Sequence, residues 1–127
     1  MSLLPTKQQI DALRSGPKDS PIVMINMLVY KNRDSYKKYM HAIGNLMPDY
    51  GAKLVWMGEM VTPVIGENVP PFETVFLVQY PNQQAFLDMT SSDAYLADKI
   101  HREEGLKSQW LIATTPLPEF IQGKSQE

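Results

Sequence analysis

The sequence contains no cysteine. Disulfides, thiolate nucleophiles, Cys-ligated zinc and iron–sulfur clusters held by thiolates are thereby excluded, and the composition is compatible with a reducing compartment. It also lacks a basic excess: 12 Lys and Arg stand against 14 Asp and Glu, a net charge of −2. Nucleic-acid affinity comes mainly from neutralised phosphates, so this balance argues against a nucleic-acid partner. No long hydrophobic run is present. The most apolar stretch, Pro21 to Val29, is interrupted by Asn26 and falls far short of the ~20 residues of a membrane helix. Residues 1–20 are polar beyond Leu4 and carry no signal-peptide pattern. No membrane partner is expected, and a cytoplasmic location is the reading. Glycine-rich dinucleotide and phosphate loops, Gly-x-Ser-x-Gly, His-Glu-x-x-His and EF-hand patterns are all missing. The two histidines, His41 and His101, lie in unrelated segments, so neither a metal site nor a cofactor is expected.

What is present is one domain's worth of chain. The 127 residues are 43% hydrophobic and 20% charged, which is neither disordered nor membrane-embedded, and a chain of this length buries roughly two thirds of its surface on folding. Thr6 and Gln9 form a capping box for a short helix that Gly16-Pro17 ends, an N-terminal helical extension over residues 1–20. The main domain spans 21–118, and 119–127 reads as a flexible C-terminal tail.

Four strands are read at residues 22–30, 52–61, 72–80 and 108–115, where β-branched and apolar residues concentrate. Between the first two, Tyr36, Tyr39, Met40, Ile43, Met47 and Tyr50 keep helical spacing. Asp34 is the candidate N-cap of that helix, Pro48 ends it, and Lys37, Lys38, His41 and Asn45 form its wet face. Asn82 caps a helix bearing Ala85, Phe86 and Met89. Asp93 caps a second segment with Leu96, Ala97 and Ile100 as its apolar face and Gly105 as its stop. The linker TPVIGENVPP is long for a hairpin; a lid, an arm to a partner subunit or an extra strand at Val64-Ile65 would each explain it.

The order βαββαβ predicts an α+β, ferredoxin-like fold with an antiparallel four-stranded sheet. The two helices of this fold cover only one face of that sheet, yet the first and third strands are apolar on both sides. An exposed apolar sheet face is an association site, so a homodimer through the uncovered face is predicted. The RNA-recognition module shares this topology, but FETVFLVQY lacks the glycine and basic residue of its third strand.

The segment PIVMINMLVYKNRDSYKKYM, then LVWMGEM after Gly51, VQYPNQQAFLDM and SSDAYLADKIHREEGLKSQWLIATTP, resembles the domain of unknown function 1330 family from Pro21 to Pro116. The resemblance implies a subunit of the dimeric α/β-barrel superfamily. That superfamily includes cofactor-free monooxygenases, lactone isomerases and haem-degrading enzymes, besides members with no assigned chemistry, and fold likeness does not choose among them.

Asn26 is the first candidate for chemistry, because an amide in an apolar strand must find partners or cost about 1–3 kcal/mol. It either bonds nearby backbone or holds a ligand. Haem-degrading relatives also use a first-strand Asn with a Trp and a His, and the complete triad does not carry over here. His101 suits proton transfer near neutral pH, or else makes one boundary hydrogen bond. Arg102 can hold a carboxylate bidentately, although Asp98, Glu103 and Glu104 are close in sequence. Glu59 is a candidate base at a strand end, a position more often solvated. Tyr30, Trp56, Phe76, Tyr80 and Trp110 either line an aromatic pocket for a small molecule or are ordinary core. The function read from these residues is a metal-free enzyme, by proton transfer or oxygenation of a small organic compound. The alternatives are a non-catalytic dimer that binds a small molecule, and a haem-binding or haem-degrading relative.

Overall fold

Alternation along the first strand decides the layering. In the computed structural model, which describes residues 3–120, β1 (Ile22–Tyr30) buries Ile22, Met24, Asn26 and Leu28 and leaves Val23, Ile25, Met27 and Val29 partly exposed. β3 (Thr74–Tyr80) repeats the pattern, with Thr74, Phe76, Val78 and Tyr80 buried. With β2 (Lys53–Glu59) and β4 (Leu106–Thr114) they form one antiparallel sheet in the order β2-β3-β1-β4. This is the ferredoxin-like arrangement that the element order implies.

Helices cover only the even-numbered face of β1. α2 (Arg33–Leu46) contributes Tyr36, Tyr39 and Ile43 to the core beside Met24, Leu28, Phe76 and Val78. The second crossover is broken into α3 (Gln83–Ser91) and α4 (Asp93–Gly105). α1 (Lys7–Arg14) keeps its capping box and is tied to α3, where Gln83 Nε2 donates to the Arg14 and Gly16 carbonyls at 3.2 and 3.4 Å. The opposite sheet face carries two rows across all four strands: Trp56, Leu77, Ile25 and Ile112, then Gly58, Val75, Met27 and Trp110. Trp56, Trp110 and Ile112 are 54%, 44% and 43% exposed. The sheet therefore has an apolar face that this chain leaves open.

Several local assignments shift. Asn32, not Asp34, caps α2: its backbone is extended at φ −148° and its side chain accepts from Ser35 N. Asp34 sits inside the first turn, where its charge meets the positive helix end. Ser92 likewise caps α4 in place of Asp93, accepting from Tyr95 N at 3.2 Å. Gly105 belongs to the helix instead of adopting a left-handed stop. A Cβ there would lie 2.7 Å from Tyr36 N, so glycine is required by the close approach of α4 to α2. Gly51, by contrast, does take the left-handed conformation, at φ 69°. Residues 60–73 form no extra strand; Val61, Val64 and Ile65 are at least 90% exposed, and the base of the loop is closed by Met60 N donating to Glu73 O at 2.8 Å. Of the predicted tail, residues 121–127 lie outside the described residues, and Pro118–Phe120 forms one 3-10 turn.

Candidate functional site

The helices stand off part of the sheet and leave a cavity of about 1100 Å³, open to solvent. Its floor is the even face of β1 with neighbouring β3 and β4 residues, and its walls include α1, α2, α3 and α4. Asn26 lies in the middle of the floor, between Phe76 on one side and Leu111 on the other, and is 7% exposed. Its Nδ2 donates to the Met24 carbonyl at 3.3 Å, and its Oδ1 accepts from Gln109 Nε2 at 2.9 Å. Gln109 Oε1 in turn accepts from Arg102 Nη2. A chain of side-chain hydrogen bonds thus runs from α4 across β4 to the buried amide of β1.

Both Asn26 bonds match the requirement that a buried amide be partnered. They leave one N–H and one acceptor lone pair of Asn26 unused by the described residues. Tyr39 and Tyr95 also line the cavity, and their hydroxyls are 3.0 Å apart. Burial, reinforced by Tyr95, holds the Tyr39 hydroxyl well above the ordinary tyrosine range, with Arg102 opposing weakly. Burial also raises Tyr80. These phenols are neutral hydrogen-bonding groups at neutral pH, not phenolates.

Phe76, Tyr80 and Arg102 line the cavity with Asn26. His101 does not. It is on the neighbouring side of α4, where Nδ1 lies 3.8 Å from Glu104 Oε1. The reason is the phase of the helix: Tyr95, Lys99 and Arg102 face the cavity, whereas Leu96 and Ile100, read as the apolar inner face, are 49% and 51% exposed. Trp56 and Trp110 are on the open sheet face, opposite the cavity, because they pair with Leu77 and Met27. Trp110 packs edge-on against Phe72 with ring centroids 5.1 Å apart. Tyr30 stacks under Arg33, whose Cζ is 4.6 Å from the ring centroid. Glu59 is exposed and pairs with Arg33 at 3.0 Å, so it is drawn to an ion pair at the strand end and not into the cavity. His41 is exposed on the wet face of α2, as its neighbours imply.

Gln109, Tyr39, Tyr95 and Lys99 are among the polar residues of the cavity and were not singled out as site residues from sequence. Gln109 had a signal: it is the polar residue in phase with Leu111 and Ala113, the inward set of β4. Among the described residues no three His, Asp or Glu side chains are grouped to hold a metal ion. No helix among the described residues is long and apolar enough to cross a membrane.

The topology defines a ferredoxin-like fold, with a cavity between the sheet and its helices. The chain belongs to the family described as a domain of unknown function, DUF1330, whose family model matches residues 22–115. RPA0582 of Rhodopseudomonas palustris, a protein of unknown function, is similar at 26% identity and TM-score 0.83, over 91% of this chain and 96% of that one. A hydroxynitrile lyase from Passiflora edulis shares the fold at 12% identity and TM-score 0.60, over 78% of this chain and 95% of that one. A protein of unknown function from Bacteroides fragilis, described as dimeric with a ferredoxin-like fold, matches at 10% identity and TM-score 0.55, over 79% and 100%. No curated protein matches the sequence.

Proposed function

We propose that this protein is a homodimer, joined through its uncovered sheet face, that binds a small organic molecule in the cavity above Asn26. The observation that carries the binding reading is the Arg102–Gln109–Asn26 chain, a directed set of polar groups in a cavity otherwise floored by Met24, Phe76 and Leu111. Ligand pockets are typically apolar with a few placed polar groups. Binding is favoured over acid–base catalysis because no histidine lines the cavity, and its only carboxylate among the described residues, Asp88, is exposed and accepts from Gln84 Nε2 at 2.8 Å. The fold-level likeness to a lyase leaves turnover as the second reading.

Leu111 provides a test independent of charge. It lines the cavity yet is 42% exposed, so Leu111→Trp fills space without overpacking a sealed core. A thermal-shift screen over small carboxylates, phenols, lactones and haem is expected to give saturable stabilisation of the native chain that Leu111→Trp removes. Retained stabilisation in that variant moves the site elsewhere. For the dimer, light scattering should report two chains for the native protein and one for Ile112→Lys, whose charge would be placed on the open face. A native monomer would overturn the sheet-face contact.

A further inference from the structure

We infer that the ligand of this cavity is an organic carboxylate with an apolar body, its carboxylate seated on Arg102; this rests on the cavity being the binding site. Arg102 is partly buried and faces the cavity, and its side chain's one hydrogen bond to a described residue goes to Gln109. No carboxylate among the described residues lies within ion-pair distance of it, although three acidic residues are near in sequence. Glu103 is 4.0 Å from Lys99 and Glu104 is 3.8 Å from His101, so two of them are turned toward other side chains. An arginine has five N–H donors in a planar fork, of which one is engaged here.

Orientation strengthens the case. Gln109 is itself fixed by Asn26, so the guanidinium is held from one side by a neutral acceptor and keeps its remaining donors for a second group. A planar fork with one edge fixed suits the two oxygens of a carboxylate better than a single carbonyl. The charge of the lining points the same way. Among the described residues, Arg14, Lys99 and Arg102 line the cavity against Asp88, the opposite sign to the −2 charge of the whole chain. The Tyr39 hydroxyl, held above the ordinary tyrosine range by burial, adds no negative charge that would repel an anion. Met24, Phe76 and Leu111 supply the apolar surface that an unadorned anion such as phosphate would leave unused.

The test uses the full chain and matched probes: aryl and branched aliphatic carboxylic acids, each beside its primary amide and methyl ester, measured by calorimetry. Acids are expected to bind at least about tenfold more tightly than their amides. Arg102→Met should abolish that preference while leaving the weak amide binding. Arg102→Lys, which keeps the charge but loses the fork, should retain part of it. Gln109→Leu separates positioning from charge: it should lower acid affinity and leave amide affinity unchanged. Equal binding of acids and amides overturns the carboxylate assignment and leaves the cavity reading standing. Acid preference that survives Arg102→Met places the anion elsewhere and also overturns it. Binding by neither class removes both readings together. Melting curves without ligand establish that each variant is folded, and Arg102→Lys keeps the test decisive if Arg102→Met is not.

Discussion

Replacing Gly105 with alanine adds one methyl group where α4 comes closest to α2. The new Cβ would lie 2.7 Å from Tyr36 N, 2.8 Å from its Cβ and 2.9 Å from its Cα, against an ordinary contact distance of at least 3.4 Å. The shortfall at the nitrogen is 3.4 − 2.7 = 0.7 Å. Two of the three obstructing atoms are backbone, so no rotamer change relieves the contact and the helices must separate. Separation also loosens the Gly105 carbonyl from the Lys31 and Asn32 amides, which it now accepts at 2.8 and 3.1 Å. Overpacking of this kind costs about 1–3 kcal/mol, and obstruction by backbone selects the upper end. Alanine's better helix propensity returns about 1 kcal/mol. The net expectation is a loss of about 2 kcal/mol, or about 8 °C in melting temperature for a chain of this size. Gly44 is the control: it is exposed in α2 with nothing within 4 Å of a Cβ, so Gly44→Ala should gain about 0.5–1 kcal/mol. Urea titration at fixed protomer concentration reads both signs. A Gly105→Ala variant as stable as the native chain would refute the close-approach argument.

Three further outcomes follow from the same geometry. Tyr36, Tyr39 and Tyr80 are buried with hydroxyls raised above the ordinary value of 10.0, so stability should be intact below about pH 10 and fall above it, as unfolded tyrosines ionise and native ones do not. Each contributes up to about 1.4 kcal/mol per pH unit, and a urea midpoint that stays flat from pH 10 to 12 would contradict this. Tyr39→Phe should cost about 1–2 kcal/mol by leaving the buried Tyr95 hydroxyl unpartnered. A double-mutant cycle with Tyr95→Phe should then show coupling, and simple additivity would count against the bond. Val64→Ser with Ile65→Ser, at positions 90% and 94% exposed, should change protomer stability by less than about 0.5 kcal/mol. If the loop is an arm to the partner chain, the same pair should raise the dimer dissociation constant, measured by dilution light scattering.

Much of the architecture was legible because it rests on periodicity: the four strands, the tyrosine stripe of α2 and the Thr6 and Asn82 caps depend on local chemistry alone. The phase of α4 was not. Its most apolar residues, Leu96, Ala97 and Ile100, are outward, and Tyr95, Lys99 and Arg102 are inward. Hydrophobicity fixes the phase of a helix that presses on a core, but α4 roofs a cavity. Its rotation is set by Gly105 against Tyr36 and by the Tyr39–Tyr95 hydroxyl pair, both long-range contacts. The same gap separated His101 from Arg102: one residue along a helix is 100° of rotation, enough to exchange a place beside Glu104 for a place in the cavity. Trp56 was hidden by a different device. A register shift between Leu54 and Trp56 puts Trp56 beside Leu77 on the open face, and no strand pattern announces such a shift.

The two faces of β1 explain why Asn26 is tolerated where every odd-numbered neighbour is apolar. The odd face can slide against apolar surface with little change in contact, and a two-residue slip of β1 against β4 would keep each side chain on its own side of the sheet. Such a slip is costly only if something on the even face resists it. Asn26 lies opposite Leu111 and bonds diagonally to Gln109, the residue opposite Leu28. Moving the strands by two residues so that Asn26 faced Ala113 would carry Gln109 away and break that bond, leaving Asn26 Oδ1 without its partner in a buried setting, at about 1–3 kcal/mol. One polar pair therefore does what the apolar rows cannot: it opposes a slip in that direction, and with it a change in both the cavity floor and the rows of the open face. Ligand binding and association would then depend on one strand, with Asn26 serving the first through its side chain and the second through the slip it opposes.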